Sequence, residues 1–234
     1  MVAFQPCQQY LSFIKFSMGM PMKTFLNNLL KISLYGIWIF FIYLLVLITL
    51  QYIPIDFEAA FLRTKTDEIQ HLHYQIAFFT HVYSSIWVMI AGLFQFSTYI
   101  RRHYPMIHKW AGYLYVGFVL VLACPSGLVM GYYGNGGISS QISFVLLSIL
   151  WFYFTWMAYY RIRQKNIWAH QKFMILSYAL TMSAVSLRLF KWIIVSIWET
   201  APMDTYRIVS WLGWLFNLGV GWVVLCYLGK RKEV

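Results

Sequence analysis

Six long apolar runs, separated by short polar segments, set the pattern of this chain. The runs are Ile32–Ile53, Tyr74–Ile100, Trp110–Tyr133, Ile142–Tyr160, Lys172–Val195 and Arg207–Leu228. A helix rises about 1.5 Å per residue and the apolar core of a bilayer is about 30 Å thick, so each run is long enough to cross it. The pattern predicts an all-α, polytopic membrane protein with six transmembrane helices, numbered as spans one to six in chain order.

The same pattern predicts the domain organisation. Residues 1–31 form a polar, basic N-terminal segment, residues 32–228 a six-helix membrane domain, and residues 229–234 a short basic tail. Met18, Met20 and Met22 are alternative starts to Met1, so the first twenty or so residues are not a secure part of the protein. No Gly- and Pro-rich linker interrupts the chain, and we therefore predict no attached soluble domain.

The charges divide sharply between the two sides of the predicted membrane. One side carries Lys15, Lys23, Lys31, Arg101, Arg102, Lys109, Arg161, Arg163, Lys165, Lys172, Lys230, Arg231 and Lys232. The other carries Arg63, Lys65, Arg207 and six of the acidic residues. Because basic loops remain in the cytoplasm, we predict a protein of the bacterial inner (plasma) membrane with both termini cytoplasmic.

Composition agrees with a membrane protein and not with a soluble protein that binds nucleic acid. Charged residues make up 11% of the chain and hydrophobic ones 61%, whereas a soluble domain has about 25% charged residues. The basic residues that give the net charge of +11 lie in short loops, where they indicate which side of the membrane each loop occupies. The expected partner of this charge is therefore the lipid bilayer and not nucleic acid.

Three of the spans carry a polar stripe along one helical face. At about 100° per residue, positions three, four and seven apart share a face. The stripes are His81, Ser84, Ser85, Gly92 and Gln95 in span two; His108, Gly112, Tyr115 and Ser126 in span three; and His170, Ser177, Thr181, Ala184, Arg188 and Lys191 in span five. Charged groups inside a bilayer face protein or water, so we predict a four-helix core of spans two to five.

The ionisable residues of these stripes fall at two depths. His108 and His170 open their spans on the cytoplasmic side, while His81, Arg188 and Lys191 lie toward the outer side, roughly 20–25 Å away at the helical rise. Two imidazoles that face each other can bind one b-type haem, and arginine or lysine can pair with its propionates. His108 and His170 are the candidate axial ligands, with His81 as a sole ligand in the alternative arrangement.

Other chemistries fit the same residues. Arg188, Lys191 and His81, with Gln95 as a further polar group, could bind an anionic small molecule or a lipid headgroup. The stripes could also relay protons or electrons. His71, His73 and His81 would offer three imidazoles, although we assign no metal ligand. Histidines at helix ends also commonly do no more than contact headgroups. A further hypothesis is a membrane-embedded enzyme that uses His81 as acid or base, although no nucleophile and no paired carboxylates are visible to support it.

Three segments resemble a known family. The segment from His81 to Phe96 (ending GLFQF), IHKWAGYLYV at Ile107–Val116, and AHQKFMILSYALTMSAVSLRL at Ala169–Leu189 are similar to bacterial predicted membrane proteins grouped as domain-of-unknown-function family 2306. The chain departs from that pattern at Lys109 and Tyr113, where the family has arginine. The resemblance implies fold and topology and supplies no activity.

A looser similarity is to six-helix di-haem cytochromes b. Those proteins need four core histidines, and span four of this chain has none, so two haems are not expected. The first hypothesis is therefore a protein that binds one haem or transfers electrons. The alternative is a non-redox transporter, sensor or assembly factor that binds an anion at the outer His81–Arg188 site, and an uncharacterised small-molecule or redox partner is compatible with either.

Overall fold

A computed structural model describes residues 22–230, with the backbone alone at Lys23, and every regular element in that range is helical. The α-helices are α1 (Met22–Leu50), α2 (Leu72–Phe96), α3 (Thr98–His103), α4 (Pro105–Gly117), α5 (Cys124–Tyr132), α6 (Ile138–Arg163), α7 (Ile167–Thr181), α8 (Ser183–Trp198) and α9 (Pro202–Lys230). Six helical segments in this range are long and apolar enough to cross a membrane. All six predicted spans are thus confirmed as helices.

The boundaries differ from the prediction at several ends. Span one begins at Met22 and not Ile32, so its basic first turns are helical as well. Span two ends at Phe96, because Ser97 leaves the helix and caps the short α3 by accepting a hydrogen bond from the Ile100 amide. The predicted N-terminal segment before residue 22 and most of the basic tail lie outside the described residues.

Two of the spans are not continuous α-helices. In span three a π-helix, Phe118–Ala123, separates α4 from α5. Pro125 lies two residues after its end, and since proline has no N–H to donate, the preceding turn must change its hydrogen bonding. Span five is interrupted at Met182 between α7 and α8, where the Ser183 hydroxyl donates to the Leu180 carbonyl. Pro125 is a cause of the first interruption that can be read in the sequence, whereas no proline or glycine marks the second.

The chain divides into two compact units at Leu44–Leu45. The described part of the first unit is the helix from Met22 onward, whose apolar side chains are mostly exposed. In the second unit, α2 packs against α4 and α5, and α6 packs against α5 and α7. The four-helix core remains a prediction, and α9 also packs closely on α7 and α8.

Polar contacts help to hold α9 in place. The Trp214 indole donates to the Ser143 hydroxyl at 2.9 Å, and Ser143 donates to the Ser210 carbonyl at 2.8 Å. The Ser186 hydroxyl of α8 donates to the Asn217 side-chain oxygen at 2.9 Å. Lipid provides no hydrophobic driving force between helices. Membrane helices therefore associate through such hydrogen bonds and through the close packing of small residues.

A cap between Tyr52 and His71, which contains the short 3-10 helices Ala60–Thr64 and Glu68–Gln70, covers one end of α2. Its apolar core includes Tyr52, Leu62 and Ile69, packed on Tyr74 and Phe78. Lys65 is 2% exposed, and its ammonium group donates to the Glu68 carboxylate and to the Tyr133 carbonyl. Partial burial opposes ionisation of Glu68, but the hydrogen bond and positive charge of Lys65 outweigh it and lower the pKa of the Glu68 carboxyl.

Candidate functional sites

A network of hydroxyl groups fills the middle of the second unit. The Tyr115 hydroxyl of α4 lies 2.8 Å from both the Ser177 and the Thr181 hydroxyl oxygens of α7. Thr155 of α6 lies 2.7 Å from Ser177. All four side chains are at most 5% exposed. The polar stripes of spans three and five therefore meet each other at mid-span, and span four contributes a threonine to the same network.

His108 and His170 lie at the basic end of the bundle, about two helical turns from this network along α4 and α7. The His170 Nδ1–H donates to the Ala158 carbonyl of α6 at 2.9 Å. This bond sets the tautomer and leaves Nε2 with a free lone pair. His108 lies at the same end of the bundle, within electrostatic range of His170 and Arg101.

Two nitrogen atoms at this basic end lack hydrogen-bond partners. His108 Nδ1 and Arg161 Nε are buried, and neither contacts an acceptor among the described residues. The His108 carbonyl, by contrast, accepts from the Gln95 amide at 2.8 Å. A buried donor without a partner costs about 1–3 kcal/mol. These atoms therefore mark a place where a ligand or water could supply the missing acceptors.

His81 occupies the other half of the bundle, between α2, α5 and α6. Its Nδ1–H donates to the Ala123 carbonyl at 2.9 Å, and the Ser126 hydroxyl lies 3.4 Å from the same nitrogen. Gly127 permits this approach, because a Cβ there would lie 3.1 Å from both the imidazole Cε1 and the Ser148 hydroxyl. Ala123 ends the π-helix, so the interruption of span three provides the acceptor that orients His81.

Arg188 lies on α8, within electrostatic range of His81, Tyr52 and Tyr206. Its guanidinium donates to the Ala184 carbonyl of its own helix at 2.6 Å and forms no ion pair with any residue from 22 to 230. Its side chain is exposed to the surroundings of the protein. An arginine inside a span therefore presents its charge to a space with no protein carboxylate.

The structure separates some residues that the sequence grouped together. Gln95 contacts His108 and lies about 20 Å along α2 from His81, so it does not join Arg188. Lys191 is exposed one turn beyond Arg188. His71 and His73 stack on each other, and His73 Nε2 lies 2.8 Å from the Tyr133 hydroxyl. Within the described chain, no three histidine, cysteine or acidic side chains form a metal-binding group.

Sequence reasoning missed the two tyrosines that lie within electrostatic range of Arg188. Tyr52 ends span one and Tyr206 begins span six, so both look like ordinary interfacial aromatics in the sequence. It also missed that the Ala123 carbonyl would orient His81. The available signal was Pro125, since a proline inside a span frees carbonyl groups of the preceding turn for other donors.

Six long apolar helices whose large hydrophobic side chains face outward define a polytopic integral membrane protein. The chain belongs to the family described as "Predicted membrane protein (DUF2306)", whose profile matches residues 78–225. That range contains His81, His108, His170 and Arg188. No curated protein and no solved structure matches the chain.

Proposed function

We propose that this membrane protein binds an anionic ligand at the site formed by His81 and Arg188. The observation that carries the proposal is the Arg188 guanidinium, which has no carboxylate partner among the described residues. A charge inside a span costs roughly 2.5–3.5 kcal/mol on insertion scales, and such residues are typically functional. An anion with several acceptor oxygens would supply the charge-assisted hydrogen bonds that the protein does not.

The surroundings of Arg188 support an anion over a neutral ligand. Tyr52 and Tyr206 lie within its electrostatic range, and phenolic hydroxyls can donate hydrogen bonds to an oxyanion. The His81 Nδ1–H is already engaged by Ala123, which leaves Nε2 as a proton acceptor or, when protonated, a further donor. Phosphate, a carboxylate or a phospholipid headgroup shares the chemistry that this set would recognise.

The interruptions of spans three and five favour a membrane carrier or sensor as the functional class of the protein. Membrane transporters often bind their substrates beside discontinuous helices, where irregular backbone lines the site. Here Ala123, at the end of the π-helix, orients His81, and Arg188 follows the break at Met182 on α8. In this proposal the basic end faces the cytoplasm, as the distribution of lysine and arginine indicates.

We expect Arg188→Gln to weaken binding of an anionic probe by about tenfold or more, because a hydrogen bond to a charged group contributes about 1.5–3 kcal/mol. The full chain is purified in an uncharged maltoside detergent and titrated calorimetrically with inorganic phosphate and, separately, with dihexanoyl phosphatidic acid. Binding of phosphate indicates a soluble anion, whereas binding of the phosphatidic acid alone indicates a lipid headgroup.

The matched control is Lys191→Gln, which removes the same charge one turn away on an exposed position. It should change the dissociation constant less than about threefold, because the proposal places the bound anion on Arg188 and not on Lys191. If neither probe saturates, or if Arg188→Gln binds as tightly as the unmodified protein, the anion site does not exist.

A second candidate function, binding of one haem by His108 and His170, has a specific observation in its favour. The backbone carbonyl of Ala158 fixes the His170 tautomer and leaves Nε2 free, which is how proteins commonly orient ligating histidines. The buried His108 Nδ1 has no partner in the described chain. In this proposal His108 and His170 would hold one haem as an axial pair, and bound haem would supply one-electron redox chemistry.

Under this second hypothesis, His170→Ala should abolish a Soret band in the purified, haem-supplemented protein and leave its insertion in the membrane intact. The visible spectrum is recorded in the oxidised and dithionite-reduced forms. His103→Ala is the control, because His103 is exposed and, within the described chain, bonds and stacks with Tyr99 alone. A colourless protein, or a band that survives His170→Ala, would contradict haem ligation by this pair.

A further inference from the structure

An apolar groove runs between α2 and α4 at the basic end of the second unit. Its volume is about 730 Å³. Ala91 and Ala111 form part of its lining, and larger side chains complete it: Trp87, Ile90, Phe94, Met106, Ile107, Trp110, Tyr113 and Leu114. None of these residues belongs to the His81–Arg188 site, and the polar face of α4 with His108 and Tyr115 does not line the groove.

The groove has a direction within the bundle. Phe94 and Met106 lie next to the α2–α4 connection, while Trp87 and Leu114 lie about 10 Å deeper by the helical rise. The connection itself is α3, which ends in Arg101, Arg102 and His103. Lys109 lies on the first turns of α4 with its ammonium 6.0 Å from the centre of the Tyr113 ring. Basic side chains therefore lie at the shallow end of the apolar groove.

No carboxylate neutralises this end in the described part of the chain. The acidic residues from 22 to 230 are Asp56, Glu58, Asp67, Glu68, Glu199 and Asp204, and all lie at the opposite ends of the helices, five in connections and Asp204 in the first turn of α9. Only two ion pairs form among the described residues, Lys65–Glu68 and Arg207–Asp204, both at that opposite end. The positive charge around α3 therefore needs a counter-charge from outside the protein.

We propose that the α2–α4 groove is a specific site for an anionic phospholipid of the adjoining leaflet. An acyl chain lies along Ala91 and Ala111 between the aromatic walls, and the phosphate group meets Arg101, Arg102 and Lys109. Basic residues near a membrane surface attract anionic lipid by about 1 kcal/mol each. A phospholipid satisfies both features at once, since it carries an apolar chain and a negative headgroup in the same molecule.

The test is native mass spectrometry of the full chain in detergent micelles, titrated with phosphatidylglycerol and with phosphatidylcholine of identical acyl chains. We expect phosphatidylglycerol to bind at least about tenfold more tightly. The triple variant Arg101→Gln/Arg102→Gln/Lys109→Gln should lose this preference and bind both lipids equally. Ala111→Phe, which fills the groove, should weaken both lipids, with folding checked by gel filtration.

The matched control is Arg161→Gln/Arg163→Gln/Lys165→Gln, which removes three charges from the same end of the bundle, two in the last turn of α6 and one in the connection to α7. It should keep the preference for phosphatidylglycerol. Equal losses in the two triple variants would mean that net charge and not the groove selects the lipid, and an unchanged preference in the first would equally overturn the proposal. Arg188→Gln should leave this binding unaltered, which separates this site from the anion site.

Discussion

Gly92→Ala is expected to destabilise the protein strongly, although it adds only one methyl group. Gly92 of α2 faces the ring of Tyr178 on α7, and a Cβ at this position would overlap the Cε2, Cζ and Cδ2 atoms of that ring. Two helices that approach so closely need a residue without a side chain at their contact. The alanine must therefore push α2 and α7 apart or displace the ring.

The Tyr178 ring has little room to move. It is 7% exposed, and it packs on Phe96 and Tyr115 with ring centres 4.9 Å and 6.2 Å away. Its hydroxyl also contacts the Met89 carbonyl of α2 at 3.4 Å. Inserting extra methylenes into a packed core typically costs about 1–3 kcal/mol and occasionally more. Because the ring is confined on several sides, we expect a loss of about 3 kcal/mol.

The measurement is thermal unfolding in maltoside detergent, followed by tryptophan fluorescence and by the fraction that elutes as a folded monodisperse species. Gly219→Ala is the control, since Gly219 is exposed on α9 and a Cβ there meets nothing within 4 Å. It should unfold at the temperature of the unmodified protein. A Gly92→Ala variant that melts with Gly219→Ala would show that α2 and α7 do not approach each other this closely.

Tyr115→Ala is expected to have a comparable effect through the opposite change, a cavity in place of an overlap. Tyr115 is fully buried, and its ring packs against Tyr178 while its hydroxyl bonds to Ser177 and Thr181. Replacing a buried aromatic by alanine costs about 3–5 kcal/mol. The variant loses both the ring and the link between α4 and α7, so its unfolding temperature should fall sharply in the same assay.

Tyr115→Phe separates the contribution of the hydroxyl group from that of the packed ring. Ser177 keeps Thr155 as a partner at 2.7 Å, and Thr181 keeps the Ser177 carbonyl at 3.2 Å. The hydroxyl alone should therefore contribute only about 1 kcal/mol. Tyr113→Ala, two residues away and 45% exposed, is the control that should melt normally. If Tyr115→Phe were as damaging as Tyr115→Ala, the hydrogen-bond network and not the packing would hold these helices together.

Hydropathy predicted the six spans because crossing a bilayer imposes a length and an apolar composition on each segment by itself. The stripes of spans three and five were also visible, and Tyr115, Ser177 and Thr181 do meet. The break at Met182 was not visible, since neither Met182 nor Ser183 interrupts a helix by its own chemistry. Such a break depends on how the two halves of span five pack on different neighbours.

The sequence likewise identified the residues of the candidate sites but not their partners. His81, His108, His170 and Arg188 could be named from the sequence because ionisable groups are rare inside a span. Their partners could not, because hydrogen bonds to the Ala123 and Ala158 carbonyls depend on the relative rotation and height of separate helices. For this reason the stripe that Gln95 shares with His81 assigns it to the site with Arg188, whereas in the structure its amide donates to the His108 carbonyl.

The sequence by itself thus determined the class of protein, its six crossings and the residues able to carry chemistry, because these follow from the transfer of individual segments from water to lipid. Only the tertiary structure decided which polar groups satisfy each other and which have no partner among the described residues. Arg188 without a carboxylate, His108 Nδ1 without an acceptor among the described residues, and the groove beside α3 are properties of helices packed together. No single helix contains that information, since each contact joins residues far apart in the chain.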